Sequence, residues 1–223
     1  NVFIQELVEA FPQKNFFVMY GQTEATARLS YLPPEMLSEK LGSIGKGIPN
    51  VNLDVFNEND QPVEVGEVGE IVAKGANVML GYLNDPESNK RTLRDGWLRT
   101  GDMAKKDEDG FIYLVDRKKD VIITGGENIY PVQIEDFLRT HEAIKDVAVI
   151  GLPDQRLGEI VAAIIELKQD SHVSDVEIEA FCSALPRYKR PRKIIFDKVP
   201  RNPTGKIEKP KLREKYCGGS LVE

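Results

Sequence analysis

The sequence changes character at the charged stretch DRKKD, residues 116–120. Before this stretch, from about residue 50, short apolar segments are broken every few residues by Gly, Asn or Asp, a pattern typical of short antiparallel strands. After it, segments with strand-like and helix-like spacing alternate, which favours a compact α+β domain. The 223 residues are enough for two small domains, each with its own core. We therefore predict two domains, residues 1–117 and 118–223.

The first domain begins with a helix and a strand. The apolar residues of 2–11 have helical spacing that stops at Pro12, and NFFVMY then predicts a buried strand. Further on, VNLDVF, EVGEIVAKG, WLRTGDMAKK and GFIYLVD predict a small, mostly antiparallel sheet or barrel, and we expect a barrel-like β subdomain. GSIGKG, residues 42–47, lacks the spacing of a P-loop, so we interpret it as a turn before a strand.

The second domain mixes the two kinds of element. Helices are predicted over 131–140, with Pro131 in the first turn, over 174–185 and over 208–216. Strands are predicted at DVIITGG, DVAVIGL, IVAAIIELK and KIIFD. The fold class expected for the whole chain is therefore mixed α/β and α+β.

Charge and cysteine content narrow the classes of function. The net charge is −6, yet residues 187–215 carry twelve Lys or Arg against three acidic residues, and such a basic segment attracts anions. A solvated surface explains most of these side chains, and nucleic acid is disfavoured because the segment lacks a regular basic helical face with interleaved aromatic residues. The apolar runs are too short for a transmembrane segment, and two distant cysteines fit a reducing cytoplasm.

YGQTEAT places a hydroxyl and a carboxylate, those of Thr23 and Glu24, at the end of a predicted strand. These groups suit a phosphate and its Mg²⁺, because Mg²⁺ takes hard oxygen ligands and keeps one or two of them from protein. The alternative is a loop in which the threonine caps the next helix and Glu24 occupies its first turn. Taken alone, this stretch favours the capping alternative.

Two more stretches carry candidate ligands for a nucleotide. Asp102 ends GWLRTGD, and a carboxylate can accept from both hydroxyls of a ribose, although a turn residue is the simpler interpretation. In VDRKKDVIITGGENIYP, Arg117 can reach a ribose or a phosphate. The pair Gly125 and Gly126 allows a close approach to the backbone, or else forms a tight turn.

The order of these pieces is more informative than any one of them. YGQTE, GEIVAKGANVMLGYLNDPE, GWLRTGD, DRKKDVIITGGENIYPVQIED and PRNPTGKIEK together closely resemble the acyl-adenylate-forming (AMP-binding) superfamily, in its acyl-CoA synthetase (fatty-acid–CoA ligase) branch. The resemblance covers almost the whole chain. It implies an acid–thiol ligase that uses ATP, Mg²⁺ and coenzyme A to convert a carboxylic acid into an acyl-AMP and then an acyl-CoA. Fatty acid is the first choice for this substrate, and aryl and short-chain acids stay open.

The resemblance also implies roles for individual residues. Lys206 matches the catalytic lysine, and Lys119 matches the hinge about which a mobile C-terminal domain turns. The other implied groups are the ATP- and AMP-binding residues Tyr20, Gly21, Gln22, Thr23, Asp102, Arg117 and Lys206, the metal ligand Glu24, and the coenzyme A-binding residues Gly125, Gly126 and Glu127. Gly126 is expected on a strand that lines the pantetheine tunnel.

The phosphate loop and acyl pocket of this family are expected before YGQTE. The chain therefore resembles the last part of the large domain, residues 1–117, followed by the mobile domain, residues 118–223, and the upstream part of the same enzyme is an expected partner. On its own the chain is expected to be inactive. Two alternatives stay open, namely an adenylation domain of a peptide synthetase and a non-catalytic nucleotide-binding module.

Overall fold

A computed structural model describes residues 2–218 of the chain. The chain divides between Lys118 and Lys119 into two compact units, which we call the first unit and the second unit. The division lies inside the charged stretch DRKKD. Each unit has its own sheet and its own buried clusters.

The described part of the first unit is mostly β structure. Its elements are, in chain order, α1 (Val2–Ala10), β1 (Val18–Tyr20), β2 (Ser30–Leu32), β3 (Ser43–Gly47), β4 (Val51–Phe56), β5 (Gly69–Gly75), α2 (Pro86–Thr92), β6 (Leu93–Arg94), β7 (Trp97–Lys106) and β8 (Ile112–Arg117). The α2 helix begins where the Asp85 side chain accepts a hydrogen bond from the Ser88 N–H, with Pro86 in the first turn.

The strands of the first unit form one antiparallel sheet in the order β1-β2-β3-β8-β7-β5-β4, with β6 paired to β7. Within the described residues, β1 and β4 are the two ends of this order, so the sheet is open. The prediction of a small antiparallel sheet is confirmed, but the barrel-like closure is not present. Closure requires pairing between the first and last strands, and here β1 pairs with β2 and β4 with β5.

Side chains alternate along β7 between a buried and a more accessible face. Leu98 and Ala104 on the buried face join apolar clusters contributed by the neighbouring strands. Thr100 and Asp102 lie between them on the same face and are also buried. Polar groups therefore occupy half of the inward positions in the middle of this strand, and each needs a hydrogen-bonding partner.

The second unit has the mixed composition that its sequence predicts. Its elements are β9 (Ile122–Thr124), β10 (Glu127–Ile129), α3 (Pro131–Leu138), β11 (Ile144–Asp154), β12 (Gly158–Leu167), α4 (Asp175–Phe181), β13 (Lys193–Phe196) and α5 (Lys209–Cys217). Ser174 and Glu177 form a capping box at the start of α4.

The sheet of the second unit has the order β10-β9-β12-β11, and β13 lies parallel to β12. Along β11, Val147 and Val149 lie in a cluster with α3 and α4 residues, whereas Ala148 and Ile150 lie in a second cluster with Leu212 of α5. Both faces of the sheet are thus covered by helices of the same unit. This explains why DVAVIGL and IVAAIIELK are almost continuously apolar.

Two interpretations of the first domain are wrong. NFFVMY was predicted as a buried strand, but β1 is short and lies at one end of the described sheet, so that Phe17 and Met19 are exposed. GSIGKG was predicted as a turn, but it forms β3 between β2 and β8. Gly45 permits this strand, because its φ is +82° and a Cβ there would lie 1.8 Å from the Tyr31 carbonyl oxygen.

Helix ends differ slightly from the predicted ones. The helix predicted over 131–140 ends at Leu138, and the helix predicted over 174–185 ends at Phe181 and continues as a 3-10 turn, Cys182–Ala184. Terminal turns often tighten in this way. Among residues 2–218, every helix is too short or too polar to cross a bilayer.

Candidate functional site

Three predicted nucleotide ligands lie together in the first unit. The register of β7 and β8 places Asp102 directly opposite Arg117, and the Arg117 Nε lies 2.9 Å from the Asp102 Oδ1. The Tyr20 hydroxyl, at the end of β1, donates a 2.7 Å hydrogen bond to the other carboxylate oxygen. Burial, followed by the charge of Asp102, raises the pKa of Tyr20 well above its usual value. Tyr20 therefore stays protonated and acts as a donor at neutral pH.

The backbone around Asp102 is fixed by two buried side chains that the sequence reasoning missed. The Thr100 hydroxyl accepts from the Asp102 N–H at 3.2 Å and donates to the Ile71 carbonyl at 2.8 Å. The Glu70 carboxylate accepts from the Gly101 N–H at 3.0 Å and pairs with the Lys118 ammonium at 3.0 Å. These bonds fix the backbone that carries Asp102, and together with the contacts from Tyr20 and Arg117 they satisfy the inward polar groups of β7.

The loop after β1, residues 21–28, reverses tightly and contains Gly21, Gln22, Thr23 and Glu24. A Cβ at Gly21 would lie 2.1 Å from the Ala27 carbonyl oxygen, so only glycine permits this close approach. Thr26 and Ala27 both have positive φ values, 50° and 68°, which are unusual for residues with a side chain. Strain of this kind persists only where surrounding contacts fix the loop.

Asn77, between β5 and α2, supplies such contacts. Its Nδ2 donates to the carbonyls of Ala25 and Arg28 at 3.1 and 3.3 Å. The backbone carbonyl of Asn77 accepts a hydrogen bond from the Thr26 hydroxyl at 3.0 Å. Asn77 lies within the family-like motif GEIVAKGANVMLGYLNDPE, so the segment was identified from the sequence. The sequence did not indicate that the Asn77 side chain holds the loop 21–28.

The geometry of Glu24 bears on the predicted metal site. The Tyr82 hydroxyl donates to the Glu24 Oε1 at 2.8 Å, and the Glu24 carbonyl accepts from the Met79 N–H. Among the described residues, His, Cys, Asp and Glu side chains do not gather in groups of three or more that would enclose a metal. A Mg²⁺ that takes most of its ligands from phosphates and water fits a single carboxylate such as Glu24.

Lys206 lies on a compact loop of the second unit, just before α5. The Asn202 Oδ1 accepts from the Thr204 N–H at 3.1 Å and from the Lys206 N–H at 2.9 Å. Gly205 has a φ of +84°, which completes the turn. The Lys206 side chain is exposed. Among the described residues of its own unit, none forms an ion pair or hydrogen bond with its ammonium group.

Gly125 and Gly126 form the two-residue turn between β9 and β10, with φ values of +60° and +87°. This geometry explains the glycine pair, because two consecutive positive φ values are typical of tight hairpin turns. The prediction that Gly126 lies on a strand is wrong, since the strands end at Thr124 and resume at Glu127. Lys119 lies in the 3-10 turn Lys118–Asp120, next to the division between the units.

Two models of one enzyme family match the chain, one in each unit. A model of the AMP-binding enzyme matches residues 2–83, and a model of the AMP-binding enzyme C-terminal domain matches residues 133–206. Together the two matches cover more than half of the chain.

Relatives with known names agree with these matches. The chain is 41% identical over 216 residues to the long-chain-fatty-acid–CoA ligase FadD13 of Mycobacterium tuberculosis, covering 95% of this chain and 42% of the relative. It is 40% identical over 197 residues to a 2-succinylbenzoate–CoA ligase of a Geobacillus species, covering 87% and 40%. The chain thus spans about two fifths of the length of the curated relatives it matches.

A solved structure has the same fold. The O-succinylbenzoate coenzyme A synthetase of Bacillus subtilis, in complex with ATP and magnesium, superimposes with a TM-score of 0.82 and 38% identity, covering 94% of this chain and 44% of that one. The mixed α/β fold class is therefore confirmed. The chain belongs to the AMP-binding enzyme family, and its predicted resemblance to the acyl-CoA synthetase branch is confirmed.

Proposed function

We propose that the chain is part of an AMP-forming acyl-CoA synthetase that uses ATP, Mg²⁺ and coenzyme A to activate a carboxylic acid. In the first half-reaction an acid oxygen attacks the α-phosphorus of ATP, and the bond to pyrophosphate breaks. In the second, the coenzyme A sulfur attacks the acyl carbon, its proton is released, and AMP leaves. The observation that carries the proposal is the convergence of Tyr20, Asp102 and Arg117, three motif residues from separate strands.

Asp102 and Arg117 are proposed to hold the ribose of the nucleotide. A carboxylate accepts from both ribose hydroxyls, and the Arg117 guanidinium beside it can donate to a further oxygen of the ribose or of a phosphate. Tyr20 is proposed to fix the carboxylate through its hydroxyl and to line the adenine site with its ring. The Tyr20 hydroxyl and the Arg117 guanidinium contact different oxygens of Asp102, which supports this division of roles.

The loop 21–28 is proposed to hold the phosphates. Gly21 and Gln22 bring its backbone close to the nucleotide, and the Thr23 hydroxyl donates to a phosphate oxygen. Glu24 would be the protein ligand of Mg²⁺, oriented by the Tyr82 hydroxyl. Bound there, Mg²⁺ supplies charge neutralisation of the phosphate oxygens.

Lys206 is proposed to be the catalytic lysine. Attack of a carboxylate on a triphosphate brings like charges together, and an ammonium between the attacking oxygen and the α-phosphate reduces that repulsion in the transition state. The Lys206 ammonium is exposed, has no partner among residues 119–218 of its unit, and lies on a loop with a fixed backbone, which supports this role. The compact, flexible lysine side chain suits a group that must reach a reacting centre and withdraw.

The second unit is proposed to be the mobile domain, residues 118–223, and residues 1–117 the last part of the large domain. Lys119 would be the hinge, and the turn of Gly125 and Gly126, with Glu127, would contact coenzyme A. The family matches on either side of residues 84–132 support this division. We also propose a cytoplasmic location, consistent with two free cysteines.

The proposed substrate is a fatty acid, and the proposed partner is the remaining part of a longer enzyme. Relatives of similar identity are named for a long-chain fatty acid and for 2-succinylbenzoate, so the acid must be measured. The chain spans about two fifths of those relatives, and we propose that it is inactive alone.

The activity is tested by ATP–pyrophosphate exchange with a panel of long-chain, short-chain and aromatic acids, which serves to find an acid that the joined protein accepts. The preference for a fatty acid is tested by the same panel in the longer enzyme to which we propose that the chain belongs. Two proteins are compared: the chain alone, and the chain joined to the part of the Geobacillus 2-succinylbenzoate–CoA ligase that lies outside the match. Lys206→Ala is expected to lower exchange by at least about a hundredfold, the size typical of lost transition-state stabilisation. Lys211→Ala is the matched control, because Lys211 is an exposed lysine of the same segment that pairs with Glu208.

Each result has one interpretation. Exchange with acids in the joined protein, lost in Lys206→Ala but not in Lys211→Ala, supports the proposal. Exchange by the chain alone contradicts its dependence on a partner segment. Transfer of the activated acyl group to a carrier protein but not to coenzyme A would favour the peptide-synthetase alternative. ATP binding without exchange, in both proteins and with every acid, would favour the non-catalytic alternative.

A further inference from the structure

The loop that carries Lys206 is held at both ends by ion pairs. We call residues 201–209 the lysine loop. It begins at Arg201, which forms an antiparallel bridge with Ile207, and it ends at Lys209, the first residue of α5. Each of these two cations pairs with a carboxylate on the body of the second unit. Neither pair belongs to the nucleotide site described above.

The first pair is a two-point contact between Arg201 and Asp146 of β11. The Arg201 Nε and Nη2 donate to the two Asp146 carboxylate oxygens at 2.6 and 2.8 Å. The remaining Arg201 nitrogen, Nη1, donates to the carbonyl of Gly205, next to Lys206. One guanidinium therefore joins the tip of the lysine loop to the sheet. A lysine could not do this, because it lacks the planar fork of donors.

Asp146 is suited to this contact. Burial alone would raise its pKa, but hydrogen bonds from Arg201 and from the Val147 N–H, together with the charges of Arg201 and Arg139, hold the pKa of Asp146 below its usual value. The carboxylate therefore remains ionised and keeps accepting from Arg201 at neutral pH.

The second pair joins Lys209 to Glu135 of α3. Both side chains are less than a tenth exposed, and the Lys209 Nζ lies 2.8 Å from the Glu135 Oε1. The same oxygen accepts from the Val149 N–H at 2.8 Å. A lysine in the first turn of a helix opposes the helix dipole, and burying both charges costs desolvation energy. Helix stability alone does not account for Lys209, whereas an anchor at this position does.

The two anchors are neighbours. Arg139 of α3 has its Nη2 3.6 Å from the Glu135 Oε2 and its Nε 4.0 Å from the Asp146 Oδ1. It also donates to the Val147 carbonyl at 3.3 Å. Charges of alternating sign therefore run from Lys209 through Glu135, Arg139 and Asp146 to Arg201. The two ends of the lysine loop are attached to one connected network.

We propose that Arg201 and Lys209 are positioning residues for Lys206, anchored by Asp146 and Glu135, so that the backbone of the lysine loop is fixed while the Lys206 ammonium stays free. The proposal rests on the proposed function of Lys206. Fixing the backbone before reaction removes an entropy cost that the transition state would otherwise bear. It explains why a segment rich in lysine and arginine pairs the cations at 201 and 209 yet leaves the Lys206 side chain unpaired among the described residues of its unit.

The structural half of the test uses the chain itself, without substrate. Hydrogen–deuterium exchange is measured at the amides of Gly205 and Lys206, which donate to Asn202. Arg201→Lys removes the planar fork of donors, and Asp146→Asn removes the charge of its partner. The hydrogen-exchange rate of both amides is expected to rise about tenfold in each variant, because these amides exchange when the loop opens locally and the ion pair opposes that opening. Asp197→Asn is the control, since it breaks an ion pair of the same unit, with Lys215 of α5, away from the loop.

Lys209→Met tests the second anchor while keeping a long side chain at that position. If it unfolds the unit because Glu135 is left buried without its partner, Arg201→Lys still tests the first anchor, since the Arg201 side chain is 41% exposed and its replacement leaves Glu135 paired with Lys209. Unchanged hydrogen–deuterium exchange at the amides of Gly205 and Lys206, in both Arg201→Lys and Asp146→Asn, would overturn the proposal.

The functional half uses the joined protein described under Proposed function. Arg201→Lys is expected to lower the rate of pyrophosphate exchange about tenfold at saturating ATP, while the KM for ATP changes less than twofold, because a misplaced catalytic group affects the transition state more than substrate binding. Asp197→Asn should leave both values unchanged.

The outcomes separate this proposal from the function on which it rests. A looser lysine loop with an unchanged rate, in a protein that Lys206→Ala inactivates, overturns the positioning role and leaves the function intact. An unchanged rate in Lys206→Ala overturns the proposed function instead. Hydrogen–deuterium exchange measured on the chain alone distinguishes the two cases, because it reports the order of the lysine loop independently of any reaction.

Discussion

Tyr20 contributes one hydroxyl hydrogen bond, but its acceptor is the largely buried carboxylate of Asp102. We expect Tyr20→Phe to lower the free energy of unfolding by about 1 to 2 kcal/mol, because a bond to a charged group is lost while Arg117 still pairs with that carboxylate. We also expect AMP to bind about tenfold more weakly in the joined protein, since 1.4 kcal/mol corresponds to a factor of ten. Chemical denaturation and titration calorimetry measure the two effects.

Tyr113→Phe is the matched control for this change. The Tyr113 hydroxyl also donates to an aspartate of the first unit, Asp107, but outside the candidate nucleotide site. A similar loss of stability without a change in AMP affinity is expected there. Equal affinities for AMP in the Tyr20 and Tyr113 variants would contradict the nucleotide role of Tyr20.

The two cysteines are expected to react slowly with thiol reagents in the folded chain. Burial raises the pKa of the Cys182 thiol to about 11, and burial also raises the pKa of Cys217. At pH 8 only about one Cys182 thiol in a thousand is then the reactive thiolate, and its side chain is also inaccessible. In Cys217→Ser, iodoacetamide should label Cys182 slowly, and labelling should become fast in denaturant.

The pH dependence has a definite sign. Because the folded-state pKa of Cys182 is raised, labelling of the folded chain should accelerate as pH increases from 8 towards 11. Labelling at pH 8 as fast as in a free peptide would show that this side chain is not buried in solution.

Some residues of the candidate site could be predicted from the sequence and others could not. Asp102 and Arg117 were selected because their residue types suit a nucleotide and because their motifs occur in a known order, whereas Tyr20 was selected from the order of the motifs alone. Glu70 and Asn77 were missed, although both lie in quoted motifs. Their importance arises from contacts with residues 31 to 52 positions away, and no local pattern in the sequence identifies such contacts.

At the scale of elements, the loop 21–28 depends on the segment that follows β5. Asn77→Ala removes two hydrogen bonds to carbonyls of the loop, so we expect the free energy of unfolding to fall by about 1 to 2 kcal/mol. Asn77→Asp should be worse at neutral pH, because it directs an anion at the same two carbonyls. Thermal or urea unfolding of the chain measures both.

Asn59→Ala provides the control, since Asn59 is an exposed asparagine of the same unit whose side chain makes no hydrogen bond to a described residue. Its stability should match that of the parent chain within about 0.5 kcal/mol. If Asn77→Ala behaves like Asn59→Ala, the loop 21–28 is held by other contacts.

Strand register explains both a success and a failure of prediction. The strands β7 and β8 were predicted, but only their register reveals that Asp102 faces Arg117 across the pair. Register depends on pairing partners that are distant in sequence, so the spacing of apolar residues within either strand does not predict it.

The segment GSIGKG was wrongly predicted as a turn because glycines are common in turns. In the structure Gly45 lets a strand pass close to the Tyr31 carbonyl.

At the scale of the whole molecule, the second unit should fold by itself. Both faces of its sheet are covered by its own helices, through the clusters that include Val149 on one face and Ile150 on the other. We expect a fragment of residues 119–223 to melt cooperatively, as followed by circular dichroism, because a unit with its own core needs no further cover.

A fragment of residues 119–157 is the control. It lacks β12, the strand that pairs with both β11 and β9, and should show no cooperative transition. Absence of a cooperative transition in residues 119–223 would mean that the second unit needs contacts from elsewhere in the chain.

The anchors of the lysine loop also bear on how this unit is redesigned. The conspicuous motif PRNPTGKIEK is contiguous, but two of the side chains attached to it, Glu135 and Asp146, lie more than fifty residues earlier. A transplant of the loop alone into another scaffold would carry two cations without their carboxylates. The smallest transferable module is therefore a set of three separate segments, taken from α3, from the start of β11 and from the loop with the first turn of α5.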